Sequence, residues 1–68
     1  MLRNKEKTVT EQYVTVDCKL LNVRHKPDIS SGIVRQESEG TKLIKLGSAQ
    51  GGAWTKVPGG YVLSEFVS

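Results

Sequence analysis

Residues 20–27 read Leu20-Leu21-Asn22-Val23-Arg24-His25-Lys26-Pro27, and this stretch decides the fold. Leu21 and Val23 alternate with Asn22 and Arg24, the period of two that belongs to a half-buried strand. Pro27 then stops the strand, because proline has no ladder N–H and biases the residue before it away from helix. The stretch is a strand that ends in a sharp turn. Polar side chains fixed beside such a turn often touch a partner, so Asn22 and Arg24 are candidate contact residues.

Working outward, the same pattern of short strands and turn signals recurs on both sides. Tyr13-Val14-Thr15-Val16 is aromatic and β-branched, which fits a pleated surface. Ile33-Val34-Arg35-Gln36 is a short strand closed by Glu37-Ser38-Glu39-Gly40. Residues 41–46 form another, with an ambiguous phase: Leu43 alternates with Lys45 and Ile44 with Leu46, so a lysine lies at the rim or a bulge resets the face. Residues 47–52, Gly-Ser-Ala-Gln-Gly-Gly, read as a flexible hairpin tip, residues 53–57 return, and Pro58-Gly59-Gly60 is a tight turn into Tyr61-Val62-Leu63. Ser64-Glu65-Phe66 reads as one helical turn with Ser64 as its cap and Phe66 in the core. About five short antiparallel strands, each too short to stand alone, predict an all-β fold closed or nearly closed into a small barrel, with one short helical turn near the C-terminus.

Composition bounds what such a fold can do. A chain of 68 residues makes one domain and buries only ~60% of the surface its unfolded form exposes, so a shallow surface site is expected rather than a deep catalytic cavity. Lysine and arginine total 10 against 7 acidic residues, a net charge of +3. Residues 1–7 hold three cations and one anion, so the rest carries seven cations against six anions, about +1. The basic excess is largely that of a leader, residues 1–10, expected to be flexible, ahead of a barrel over residues 11–68. Cys18 is the single cysteine, so no internal disulfide or cysteine-type zinc site can form within one chain. The start has no apolar segment after its charges and no run approaches a membrane span, which points to a cytoplasmic protein without a membrane partner.

With these motifs in order, the chain resembles the bacterial Src-homology-3-like (SH3b) domain family over about residues 12–68. The family's Leu-Asn-Val-Arg and following proline are matched by Leu21-Asn22-Val23-Arg24 and Pro27. Its glycine before a hydrophobic strand is matched by Gly40 before Leu43, and its Gly-Gly-Trp-like turn and valine by Gly51-Gly52-Ala53-Trp54 and Val57. Gly60-Tyr61-Val62 and Ser64-Glu65-Phe66 match its closing segment. Three positions depart from the pattern: Thr55 replaces a second aromatic, the loop before Tyr61 is cut to Pro58-Gly59-Gly60, and Lys45 stands where an apolar residue is usual. The first two remove material where such domains often hold ligands.

The resemblance implies a binding module without cofactor or catalytic residues, an adaptor or small phage-type or accessory protein for a protein or peptide ligand. Peptidoglycan is the alternative, since many of the family hold hydrolases on the cell wall. The ligand-contact candidates are Trp54, Tyr61, Tyr13, Asn22 and Arg24, and the surface expected to carry them lies between residues 22–31 and residues 47–54. Aromatic faces supply large contact area at low entropy cost; the same residues could instead complete the core. Arg24 has forked donors for a carboxylate, or else it ties down its own loop, while Asn22 is expected to bond the backbone of its own turn. Lys42, Lys45 and Lys56 could form a phosphate-binding stripe, but Glu37 and Glu39 lie close by in sequence, so nucleic acid is disfavoured. An unpaired strand edge would favour a homodimer.

Overall fold

The computed structural model describes residues 11–68, so the leader assigned to residues 1–10 lies outside the described residues save for its boundary with Glu11. Seven strands follow in chain order: β1 Gln12–Thr15, β2 Leu20–Arg24, β3 Ile33–Ser38, β4 Lys42–Lys45, β5 Gly47–Ala49, β6 Trp54–Val57 and β7 Gly60–Leu63. Two 3-10 turns, Gln50–Gly52 and Ser64–Phe66, complete the described chain. All pairings are antiparallel. β1 and β4 make a two-stranded sheet, and a five-stranded sheet runs β3-β2-β7-β6-β5. The expected all-β class holds, with seven strands in two sheets in place of about five.

The core follows from strand alternation. Leu21 and Val23 of β2, Val57 of β6 and Val62 of β7 point inward, where they meet Val16 and Leu43 in one cluster flanked by Val14, Cys18 and Val67. Val16, Val23, Val57 and Val62 are almost wholly buried, and burying a side chain of this size contributes about 1.5 kcal/mol or more. β-branched residues suit this site because their stiff χ1 already matches a pleated surface. The chain ends of the described region are held by the same core: a bridge joins Val16 to Val67, and Thr15 and Ser68 exchange backbone bonds of 2.9 Å each way.

The turns behave as their residues dictate. Val57 faces Gly60 across Pro58-Gly59, and Gly59 has φ +86°, the positive value that the residue after proline needs in a type II turn. Gly60 is required for another reason. A Cβ there would collide with the Arg24 carbonyl oxygen and press on Val23, so only glycine lets β7 approach β2 closely enough to pair Arg24 with Tyr61.

Three expectations are corrected. Residues 47–52 are not all hairpin tip, because Gly47, Ser48 and Ala49 pair with Lys56, Thr55 and Trp54, which narrows the tip to the turn at Gln50–Gly52. For residues 41–46 the rim-lysine alternative fits: Leu43 faces the core, Lys45 lies two residues on along the same face and is exposed, and Leu46 N–H already bonds Lys56 O at 2.8 Å. Ser64 caps nothing; Leu63 precedes the last turn without a side-chain cap, and the Ser64 hydroxyl pairs with buried Thr55 at 2.8 Å. Phe66 is not core, being 38% exposed, because the turn that carries it lies beyond the edge of the inward-facing row.

Candidate functional site

The outer face of β2, β7 and β6 holds the residues that alternation turns away from the core. Across the sheet Trp54 faces Leu63, Lys56 faces Tyr61, and Tyr61 faces Arg24. Leu20, Asn22 and Arg24 therefore share one face with Tyr61, Leu63, Trp54 and Lys56. Trp54 is 6% exposed although it belongs to this outer face and not to the core cluster. It forms the floor of a concavity of about 180 Å³ lined by Cys18, Leu20, Leu21, Asn22, Arg24, Ile29, Trp54, Leu63 and Phe66. Leu20 and Ile29 are more than half exposed and, with Phe66, form an apolar rim.

One wall is the loop between β2 and β3, and its backbone is heavily self-bonded. His25 N–H bonds Gly32 O at 3.0 Å, and Ser31 N–H bonds Asp28 O at 2.9 Å. Lys26 N–H reaches Ser31 Oγ at 3.0 Å. Asp28 Oδ1 accepts from both Ser30 N–H and Ser30 Oγ–H, at 2.9 and 2.8 Å. The Ser30 backbone bond first, and its hydroxyl second, hold the Asp28 carboxyl below its ordinary range, with smaller help from the Lys26 and Arg24 charges. Arg24 Nη1 closes the loop by donating to Ser31 O at 2.7 Å. A register shift between Val23 and Arg24 leaves Val34 of β3 without an opposite residue, and such bulges bend a strand where a side chain must be aimed.

Of the five predicted contact residues, Trp54, Asn22 and Arg24 are brought together in this concavity. Tyr61 stands beside Arg24 on the same face, under the Lys56 ammonium at 5.9 Å from the ring centroid, but does not line the groove. Tyr13 stands on the other sheet, where its hydroxyl donates to Glu11 at 2.7 Å. That bond, followed by the charge of Glu11, raises the Tyr13 pKa. Asn22 does not bond its own turn: β2 runs straight through it, and its Oδ1 accepts from Gln36 Nε2 across the strand pair at 2.8 Å. The predicted surface also shifts, because residues 47–53 contribute nothing to the lining.

Leu20, Ile29 and Leu63 were missed as lining residues. Leu20 had a signal, since two consecutive leucines in a strand cannot both face the core. Ile29 had another, as a lone aliphatic residue in a polar loop. The lysines are divided: Lys42 and Lys45 sit on the two-stranded sheet, three residues apart and so on opposite faces, while Lys56 sits on the larger sheet. Among the described residues no three His, Cys, Asp or Glu side chains are grouped to hold a metal ion, and no helix is long and apolar enough to cross a membrane. No family model, curated protein or solved structure matches the chain.

Proposed function

We propose that this chain is a non-enzymatic binding module of the SH3b type that holds a protein or peptide segment in the Trp54 groove. One observation carries the reading: the single tryptophan is buried on the outer face, apart from the cluster of Val16, Leu21, Val23, Leu43, Val57 and Val62, and lines a concavity with the exposed apolar side chains of Leu20, Ile29 and Phe66. An apolar concavity with a few polar groups at its wall is the usual form of a recognition site, and exposed apolar surface of this kind is retained where a partner covers it. The SH3b assignment is supported by the order of motifs from Leu21 to Phe66 and by the Pro58-Gly59 hairpin that leads into the last strand and turn.

The test uses Trp54 itself, whose emission reports on the groove without a label. The chain is screened against an immobilised peptide library, and hits are titrated while tryptophan emission is followed. Bound peptides shift the emission, and Leu20→Asp, which alters the rim and leaves the core cluster intact, abolishes both capture and shift. Capture that survives Leu20→Asp overturns the groove assignment. Purified cell walls form a parallel arm: co-sedimentation with walls and no capture of any peptide replaces the peptide reading by the glycopeptide one.

A further inference from the structure

Among the described residues, Arg24 alone of the charged ones lines the groove. Among the described residues no carboxylate lies within 4 Å of its guanidinium, since the ion pair found is Arg35 with Glu37 at 2.6 Å. Asp28 is close enough to feel its charge but is bound to Ser30. Of the five N–H donors that a guanidinium carries, one is used on Ser31 O. The others have no partner among the described side chains and backbone carbonyls.

The second polar side chain in the wall points to the same chemistry. Asn22 has its oxygen taken by Gln36, which leaves its NH2 group as the free part. Cys18 Sγ makes its contact with Leu20 O at 3.5 Å. The free side-chain polar groups of the groove are thus the donors of Arg24 and Asn22, which call for an acceptor with several lone pairs and a negative charge. A carboxylate supplies both, in the planar form that matches the guanidinium fork.

Size and layout narrow the source of that carboxylate. A volume of about 180 Å³ lies below the roughly 300–1,000 Å³ of small-molecule pockets, which suits one large side chain and not a folded segment. Arg24 and Trp54 flank β7 from opposite sides, in register positions two residues apart. At strand spacings of ~4.8 Å and ~3.4 Å per residue their backbones lie about 12 Å apart, and both line the same groove as Leu63. We propose that the groove takes the carboxyl-terminal residue of a polypeptide that ends in a large aliphatic or aromatic side chain. The side chain sits on Trp54 between Leu20 and Phe66, and the terminal carboxylate is held by Arg24 with Asn22. A terminal residue presents both groups from one Cα, whereas an internal acidic residue would have to carry the chain out past the rim in two directions.

This assignment rests on the groove being the binding site, and the test separates the two. Four glycine-serine hexapeptides are titrated against the full chain with Trp54 emission as the readout: one ending in leucine with a free carboxylate, the same peptide amidated, one ending in serine with a free carboxylate, and an amidated one with an internal Leu-Glu pair. The free-acid leucine peptide is expected to bind, with at least tenfold weaker binding for both the amide and the serine peptide. Arg24→Gln, checked for an unchanged melting transition, is expected to bind acid and amide equally. Equal binding of acid and amide by the unaltered chain overturns the carboxylate role, equal binding of the internal Leu-Glu peptide overturns the terminal one, and no binding of any of the four overturns both. If library capture remains sensitive to Leu20→Asp in those cases, the groove reading stands and only its ligand class is lost.

Discussion

The two faces of the β2-β7-β6 strands share every backbone hydrogen bond and differ in what they do. Inward, Leu21, Val23, Val57 and Val62 are buried to within a few per cent, and the polar side chain buried beside them, Thr55 opposite Val62, is bonded to Ser64. Outward, Leu20, Asn22, Arg24, Leu63 and Trp54 surround an open space. The inner row fills its volume and so sets stability; the outer row encloses a volume it does not fill. Alternation of side chains therefore separates the packed core from the open groove within five consecutive residues of β2.

The strongest way to break that separation is Gly60→Ala. Its Cβ strikes the Arg24 carbonyl and Val23, so it forces apart the strands that carry both faces, and a loss of about 3 kcal/mol or more is expected from overpacking at a backbone contact. In a domain with total stability of roughly 5 kcal/mol this leaves about 2 kcal/mol, a protein still mostly folded in water but with its urea midpoint cut by more than half, which denaturation measures; a midpoint within error of the parent would show that β2 and β7 can slide freely.

A paired substitution sharpens the contrast. Leu21→Ala, in the core, should cost about 2–3 kcal/mol, whereas its neighbour Leu20→Ala, 56% exposed, should stay within about 0.5 kcal/mol and weaken ligand capture instead. Similar losses for the two would mean that the outer row also carries the fold.

The smallest effect concerns the groove wall. The Asp28 carboxyl is held below its ordinary value of 3.8, so its bonds to Ser30 favour the folded loop above that value, and this contribution is lost as pH falls through the folded-state pKa. A carboxyl-carbon titration by NMR should place Asp28 below 3.8, and Ser30→Ala should raise it part of the way back, because the first cause, the Ser30 backbone N–H, remains.

Much of this was legible in the residues and some was not. The alternation Leu21, Val23 and the stop at Pro27 fixed β2, and Pro58-Gly59 fixed the β6-β7 turn, because period and backbone restriction are local properties. β5 was hidden: Gly47-Ser48-Ala49 carries no strand preference and becomes a strand only through β6 beside it. Trp54 and Arg24 could be named from residue type alone, but not that they meet, since that depends on how β7 is registered against both neighbours. Asn22 was misread for the same reason, its partner Gln36 being fourteen residues away. Phe66 was placed in the core by composition, yet composition does not say where the inward row ends.

The position of β7 between β2 and β6 has a consequence for how the chain comes to be folded in a cell. Before residues 60–68 emerge from the ribosome, the nascent chain can form the β2-β3 and β5-β6 hairpins, but the strand that welds them is missing, as is the bridge from Val67 to Val16. Isolated hairpins are marginal in water, and the welding contacts span some forty residues, the kind of closure that slows folding. A chain that ends before Gly60 therefore presents open valines to chaperones and proteases rather than a half-built domain.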